Sequence, residues 1–179
     1  TENLPTSLEQ VDAAWLGKMM SYKYPGVAAN AMETVELLNS HTTKWRVKVD
    51  WNDAGKAAGL PANVCLKANW SGSFDNVDIH ALEARFYHFM VHEMKVPTAK
   101  CYYADWDDDG SAHGFIVLED LIQRCTELGY RQMVAIIGDS ANEASIGLHS
   151  RLGFETIGVQ PSVGFKFGRW GDSVTMQLP

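Results

Sequence analysis

Two kinds of hydrophobic spacing alternate along the first two thirds of the chain. Val11, Trp15 and Met19 recur at i, i+4 and i+8 behind Thr6-Ser7-Leu8-Glu9-Gln10, so a capped helix is predicted there, ending at Tyr24-Pro25-Gly26. Residues 32–38 and 44–51 switch to strand spacing, with Arg46, Lys48 and Asp50 alternating against Val47, Val49 and Trp51. The polar stretch 39–43 between them makes a hairpin. A Gly/Pro-marked connection at 56–62 and a strand at 64–68 follow. Residues 80–94 form the clearest helix, with Leu82, Phe86, Phe89 and Met90 as its apolar face and Val96-Pro97 closing it. Residues 101–104 and 115–118 pair as a second hairpin around an acidic turn.

Past Asp120 the order changes. Leu121, Ile122, Cys125 and Leu128 share a helical face, and Gly129 is the stop. A fully apolar strand at 133–137 leads through a loop at 138–142 to a helix stripe of Ala144, Leu148 and Leu152. Gly153 ends that helix, and 156–159, 164–167 and 174–178 are strand-like. The expected fold is α+β or α/β in two parts, 1–120 and 121–179, meeting at the strand–helix seam 114–125. The strand at 133–137 needs a neighbour, and 115–118 is the expected one.

Composition narrows the function classes. The 179 residues are 46% hydrophobic and 21% charged, with a formal net charge of −7. Of 15 basic and 22 acidic residues, five of each lie from Leu121 onward, so residues 1–120 hold the whole acidic excess. An acidic chain without a basic stripe is not built for nucleic acid. Cys65, Cys101 and Cys125 are odd in number and set among apolar residues, which fits buried thiols in a reducing compartment; the cytoplasm is expected. No leader pattern opens the sequence, and no apolar run reaches the roughly 18 residues of a membrane span.

Residues 1–120 carry VCLK at 64–67, Glu83 in the long helix, Val96-Pro97, and FIVLED at 115–120. In that order they resemble the N-terminal lobe of the aminoglycoside, choline and ecdysteroid kinase-like phosphotransferases. The resemblance implies that Lys67 holds ATP phosphates, that Glu83 orients it by ion pairing, and that backbone groups at 118–120 meet adenine. Taken alone, a strand Lys and a helix Glu are equally two solvated charges. The turn at 39–43 has no Gly, and nothing after residue 120 supplies the catalytic Asp, Asn and metal-binding Asp of a second lobe.

Residues 121–179 carry GYRQMVAIIGDSAN at 129–142, ASIGLH at 144–149, LGF at 152–154 and VGFKFGRW at 163–170. They resemble the C-terminal half of GNAT-superfamily acetyltransferases of the phosphinothricin type, which implies a βαββ unit using acetyl-CoA. By that resemblance the strand at 133–137 splays from its neighbour and acetyl-CoA lies in the opening. Asn142 and Ser145 would then meet the cofactor, and His149 would reprotonate the departing thiolate. A plain helix N-cap accounts for Asn142 equally well, and a structural helix residue accounts for His149. Where the family has a Gly-rich pyrophosphate turn, this chain has Leu118-Glu119-Asp120-Leu121. Two carboxylates there stabilise a helix start and repel pyrophosphate.

Three functions follow as expectations: acetyl-CoA-dependent transfer to a small amine, an ATP-binding lobe without its chemistry, or a folded non-catalytic hybrid. Small-molecule substrates and self-association through exposed strand edges belong to the same reading. Asp105-Trp-Asp-Asp-Asp-Gly110 begins like a calcium loop, but Ile116 stands at its twelfth position. His88 and His92, spaced i, i+4 without a third ligand, read as surface residues.

Overall fold

The computed structural model describes residues 4–39, 42–70, 79–95 and 97–179, and these fall into two units divided after Leu121. In the first unit five strands form an antiparallel sheet in the order β1 (Ala29–Asn39), β2 (Thr43–Trp51), β3 (Asn63–Ala68), β5 (Gly114–Glu119), β4 (Cys101–Trp106). The tip of the expected first hairpin, Ser40 and His41, lies outside the described residues. Along β2 the period-two pattern puts Thr43, Val47, Val49 and Trp51 into the core. Helix α1 (Ala13–Ser21) covers that face, burying Leu16, Met19 and Met20. Trp15 meets Phe115 edge-on at 4.8 Å, and Trp70 lies 5.8 Å from the same ring. Burying each such side chain is worth about 1.5–3 kcal/mol, so this core anchors the unit.

Several boundaries differ from the sequence expectation for local reasons. The cap signal at 6–10 makes a single 3₁₀ turn, Leu8–Gln10, in which Gln10 Oε1 accepts from the Thr6 N–H at 2.8 Å. The helix proper starts later, where Asp12 accepts from the Trp15 N–H at 2.7 Å. Inside the expected polar connection, Asn52 caps a one-turn helix, α2 (Asp53–Ala57).

The helix expected over 80–94 is shorter and turned the other way. Helix α3 (Ile79–Arg85) passes into a π turn, Phe86–Met90, and the buried residues are His80, Ala81 and Ala84. Leu82 and Phe89, two of the expected core stripe, are 57% and 60% exposed. Close approach explains the reversal: a Cβ at Gly114 would collide with the His80 carbonyl, so only small side chains fit between α3 and β5. The π turn also inserts an extra residue per turn and shifts the face beyond it. Val96 lies outside the described residues.

The second unit opens with α4 (Leu121–Glu127), stopped by Gly129 at a φ of 75°. Strands β6 (Met133–Gly138), β8 (Arg169–Leu178) and β7 (Glu155–Lys166) form an antiparallel sheet in that spatial order, with α5 (Glu143–Arg151) between β6 and β7 in sequence. The expected pairing of 133–137 with 115–118 does not form. Strand β5 is flanked on both sides by β3 and β4, and β6 pairs with β8 instead. The two strands expected at 156–159 and 164–167 are one strand, β7, with a register shift between Gln160 and Gly164. Ile137, Phe154, Val174 and Met176 are the buried centre, with Ile146 and Leu152 of the α5 side packed on them. Among the described residues no helix is long and apolar enough to cross a membrane.

Candidate functional site

Helix α5 brings three of the sequence-predicted residues into one hydrogen-bonded line. Asn142 Oδ1 accepts from the Ser145 N–H at 3.1 Å, which is an N-cap. The Ser145 carbonyl lies 2.8 Å from His149 Nδ1. A carbonyl only accepts, so Nδ1 is the ring nitrogen that donates in this bond. The His149 ring stands edge-on to Phe154 at 5.3 Å, half-buried.

Asn142 also lines a cleft of about 580 Å³ between the β6–α5 loop and the β7–β8 hairpin. Gly138 and Asp139 form one wall, and Phe165, Lys166 and Arg169 form the other; His149 is not part of the lining. Asp139, at a φ of 118°, accepts from the Ala141 N–H at 3.0 Å and from the Arg169 guanidinium. These bonds, the backbone one first, hold its carboxyl below the usual range. Asp172 accepts from Ser140 Oγ at 2.5 Å and from the Ser162 N–H at 2.9 Å, and these bonds, the Ser140 hydroxyl first, lower its carboxyl pKa. Sequence reading missed both aspartates as site residues. They are far apart in the chain and meet only through the β6–β8 register, which sets Gly138 against Ser173.

At 118–121, where the acetyltransferase resemblance puts a pyrophosphate turn, the residues do not fit an anion. Glu119 ends β5, and Asp120, 4% exposed, accepts from Arg46 Nε at 2.9 Å. Arg46 also donates from Nη1 to Glu36 at 2.9 Å. Asp120 is therefore part of a folded ion-pair cluster, and the seven-residue α4 offers no cradle for phosphate.

The other predicted pair also meets. Lys67 Nζ of β3 lies 2.6 Å from both carboxylate oxygens of Glu83 on α3. Lys44 stands opposite Lys67 in the β2–β3 register; burial, then the neighbouring Lys67, lower its pKa. Burial pushes the Cys65 and Cys101 thiols up to about 11. In the acidic turn, Asp107 takes the Leu4 N–H, Asp108 takes Arg85 and Asp109 takes the Ser111 N–H.

No family model matches the chain. The L-amino acid N-acyltransferase MnaT of Escherichia coli is 31% identical over 145 residues, covering 81% of this chain and 79% of that protein. The chain belongs to the GNAT superfamily of N-acetyltransferases, with relatives of the phosphinothricin type. Phosphinothricin N-acetyltransferase of Alcaligenes faecalis is 52% identical over 73 residues, 41% of this GNAT chain and 37% of that protein. The L-methionine sulfoximine/L-methionine sulfone acetyltransferase of Pseudomonas aeruginosa is 51% identical over 76 residues, covering 42% and 44%. The chain thus spans less than half the length of these two relatives. A solved GNAT phosphinothricin acetyltransferase from Sinorhizobium meliloti, in complex with AcCoA, aligns at a TM-score of 0.32 with 25% identity, over 76% of this chain and 60% of that one.

Proposed function

We propose that the chain takes part in acetyl transfer from acetyl-CoA to a small amine, of the α-amino-acid kind that its relatives' names specify. The observation that carries this reading is the Asn142–Ser145–His149 line on α5, whose first member opens into the 580 Å³ cleft. A cleft of that size suits a small molecule or one arm of a cofactor. Acetyl-CoA, when bound, supplies an activated acetyl thioester. The Asn142 side chain meets the arm, and Ser145 fixes the His149 tautomer, so that Nε2 is the ring atom that exchanges a proton. The pyrophosphate end has no matching cradle at 118–121, so cofactor binding in this reading is weak. The site belongs to a protein of a reducing compartment, the cytoplasm.

Differential scanning fluorimetry with acetyl-CoA tests this. A ligand that binds only the folded state raises the midpoint by mass action. Wild type shifts upward, and Asn142→Ala loses most of the shift. His149→Ala keeps the shift and loses turnover with an L-amino acid acceptor. No shift at millimolar acetyl-CoA rejects the reading.

The bidentate Lys67–Glu83 pair favours a second reading, in which residues 1–120 form a kinase-lobe-like, ATP-binding segment fused to the acetyltransferase-like segment 121–179. Its test is the same titration with Mg-ATP, where Lys67→Ala abolishes any shift. With neither ligand active, the chain is a non-catalytic hybrid.

A further inference from the structure

A second cleft, of about 410 Å³, lies wholly within the first unit. Three elements wall it: the residues just past α1, with Tyr22 and Lys23, the π turn, with Tyr87, and β4, with Tyr103 and Asp105. Tyr103 and Asp105 are two residues apart on a strand, so their side chains share a face. Tyr22 is 51% exposed and Tyr103 only 5%, so tyrosine rings run from the mouth of the cleft to its floor. The Asp105 carboxylate accepts from the Tyr103 hydroxyl at Oδ2 and from the Trp106 N–H at Oδ1, each at 2.9 Å. These bonds orient a group whose two oxygens accept about four hydrogen bonds in all. Burial, then the Asp105 charge, raise the Tyr103 pKa, so the phenol stays the donor of the pair and Asp105 the anion.

His88, His92 and Cys101 also line this cleft, which gives the i, i+4 histidine pair a setting that its spacing alone does not. A metal does not fit them: among the described residues no three of His, Cys, Asp and Glu come together as an ion requires. An organic cation does. The faces of aromatic rings attract cations, and the rings beside the cleft already hold the chain's own. Lys100 lies over Tyr102 at 5.0 Å, Arg85 over Trp106 at 5.5 Å and Lys23 over Tyr24 at 5.5 Å.

We propose that the cleft binds a small organic ammonium ion, its nitrogen on the Asp105 carboxylate and its apolar body among the rings of Tyr22, Tyr87 and Tyr103. A primary amine suits the carboxylate, because its N–H groups make charge-assisted hydrogen bonds there. A cleft of this size takes a body of one ring or a short chain. Every group involved belongs to the first unit, so the site stands or falls apart from the acetyl-transfer reading.

Ligand-observed NMR titration of the full chain, at about pH 8 where histidine is ordinarily neutral, tests this. The probes share one shape: 2-phenylethylammonium, the neutral 2-phenylethanol and the anionic 3-phenylpropionate. The ammonium is expected to bind at least about tenfold tighter than the alcohol, the strength of a charge-assisted bond. Asp105→Asn keeps the shape and an acceptor for the Tyr103 hydroxyl, and it removes that preference. Lys23→Ala takes a like charge from the rim and tightens the ammonium about threefold. Tyr22→Ala, at an exposed position, weakens it about threefold. Asn142→Ala, in the second unit, leaves it unchanged. The proposal is overturned by an ammonium that does not saturate, an alcohol that binds as tightly, or a preference that survives in folded Asp105→Asn. Phenylpropionate as the tightest probe overturns it too, since Lys23 is then the anchor. Should Asp105→Asn not fold, unchanged affinities in both Lys23→Ala and Tyr22→Ala overturn it, as does an ammonium that Asn142→Ala weakens.

Discussion

Arg46 of β2 and Asp120 at the end of β5 are joined by a 2.9 Å hydrogen bond, with Asp120 all but closed to solvent. The pair decides what the 118–121 segment can do. A carboxylate held by a guanidinium inside the fold is a structural group, and it sits where a phosphate cradle would need small residues and free N–H groups. Removing one partner of a buried pair leaves an uncompensated charge, which costs about 3–5 kcal/mol when burial is complete. The Arg46 side chain is 17% exposed and keeps its bond to Glu36, so Asp120→Ala is expected to cost less, about 2–3 kcal/mol. Urea unfolding measures it; a loss below about 0.5 kcal/mol would contradict a structural role. Placing Gly at 119 and 120 together should therefore destabilise the first unit by at least the Asp120→Ala cost.

The two raised thiols predict chemistry and stability together. With pKa values of about 11, Cys65 and Cys101 hold almost no thiolate at pH 8. Native protein should alkylate them slowly with iodoacetamide, and denatured protein quickly. Because the folded-state values lie above the unfolded ones, the stability they contribute is fully present below pH about 8.5 and is lost as pH rises towards 11. Urea midpoints measured from pH 8 to 11 should fall across that window. Replacing both residues with Ser should flatten the slope.

On the acid side the second unit behaves in the opposite sense. Asp139 and Asp172 have lowered carboxyl pKa values from the Ala141 and Arg169 bonds and from the Ser140 and Ser162 bonds. Their contribution is present above the ordinary carboxylate value and is lost as pH falls through the lowered one. Trp170 packs against Phe165 on the β7–β8 hairpin, with ring centroids 5.4 Å apart, and its fluorescence reports the loss. Asp172→Asn should move the acid transition of that signal upward in pH. An unchanged transition would separate Asp172 from the hairpin's order.

The units should also differ in resistance to proteolysis. Among the described residues, the first unit's core cluster holds eighteen buried hydrophobic residues and the second unit's holds four. Limited digestion is expected to cut within 122–179 first, leaving a protected fragment close to residues 1–121. Equal rates of cleavage in both would contradict the difference in core size.

Much of this architecture was legible in the sequence where one local cause decided it. The period-two run on β2, the cap at Asn142 and the helix stops at Gly129 and Gly153 each depend on a few adjacent residues. The α3 face was not legible, because the large apolar stripe Leu82–Phe86–Phe89 looks like core until Gly114 forces small residues against β5. The partner of β6 was not legible either, since both edges of β5 were already taken by β3 and β4. Of the candidate site, the α5 residues followed from motif and helical spacing. Asp139 and Asp172 meet only through sheet register, which no local pattern encodes.

Calorimetric titration of the full chain with acetyl-CoA, beside Asn142→Ala, tests the central claim most directly. Wild type should bind with modest affinity, and the Asn142→Ala isotherm should weaken at least about tenfold, the loss of one hydrogen bond to the arm plus the cap. Wild-type heats no larger than dilution, or equal affinities for the two proteins, would contradict it.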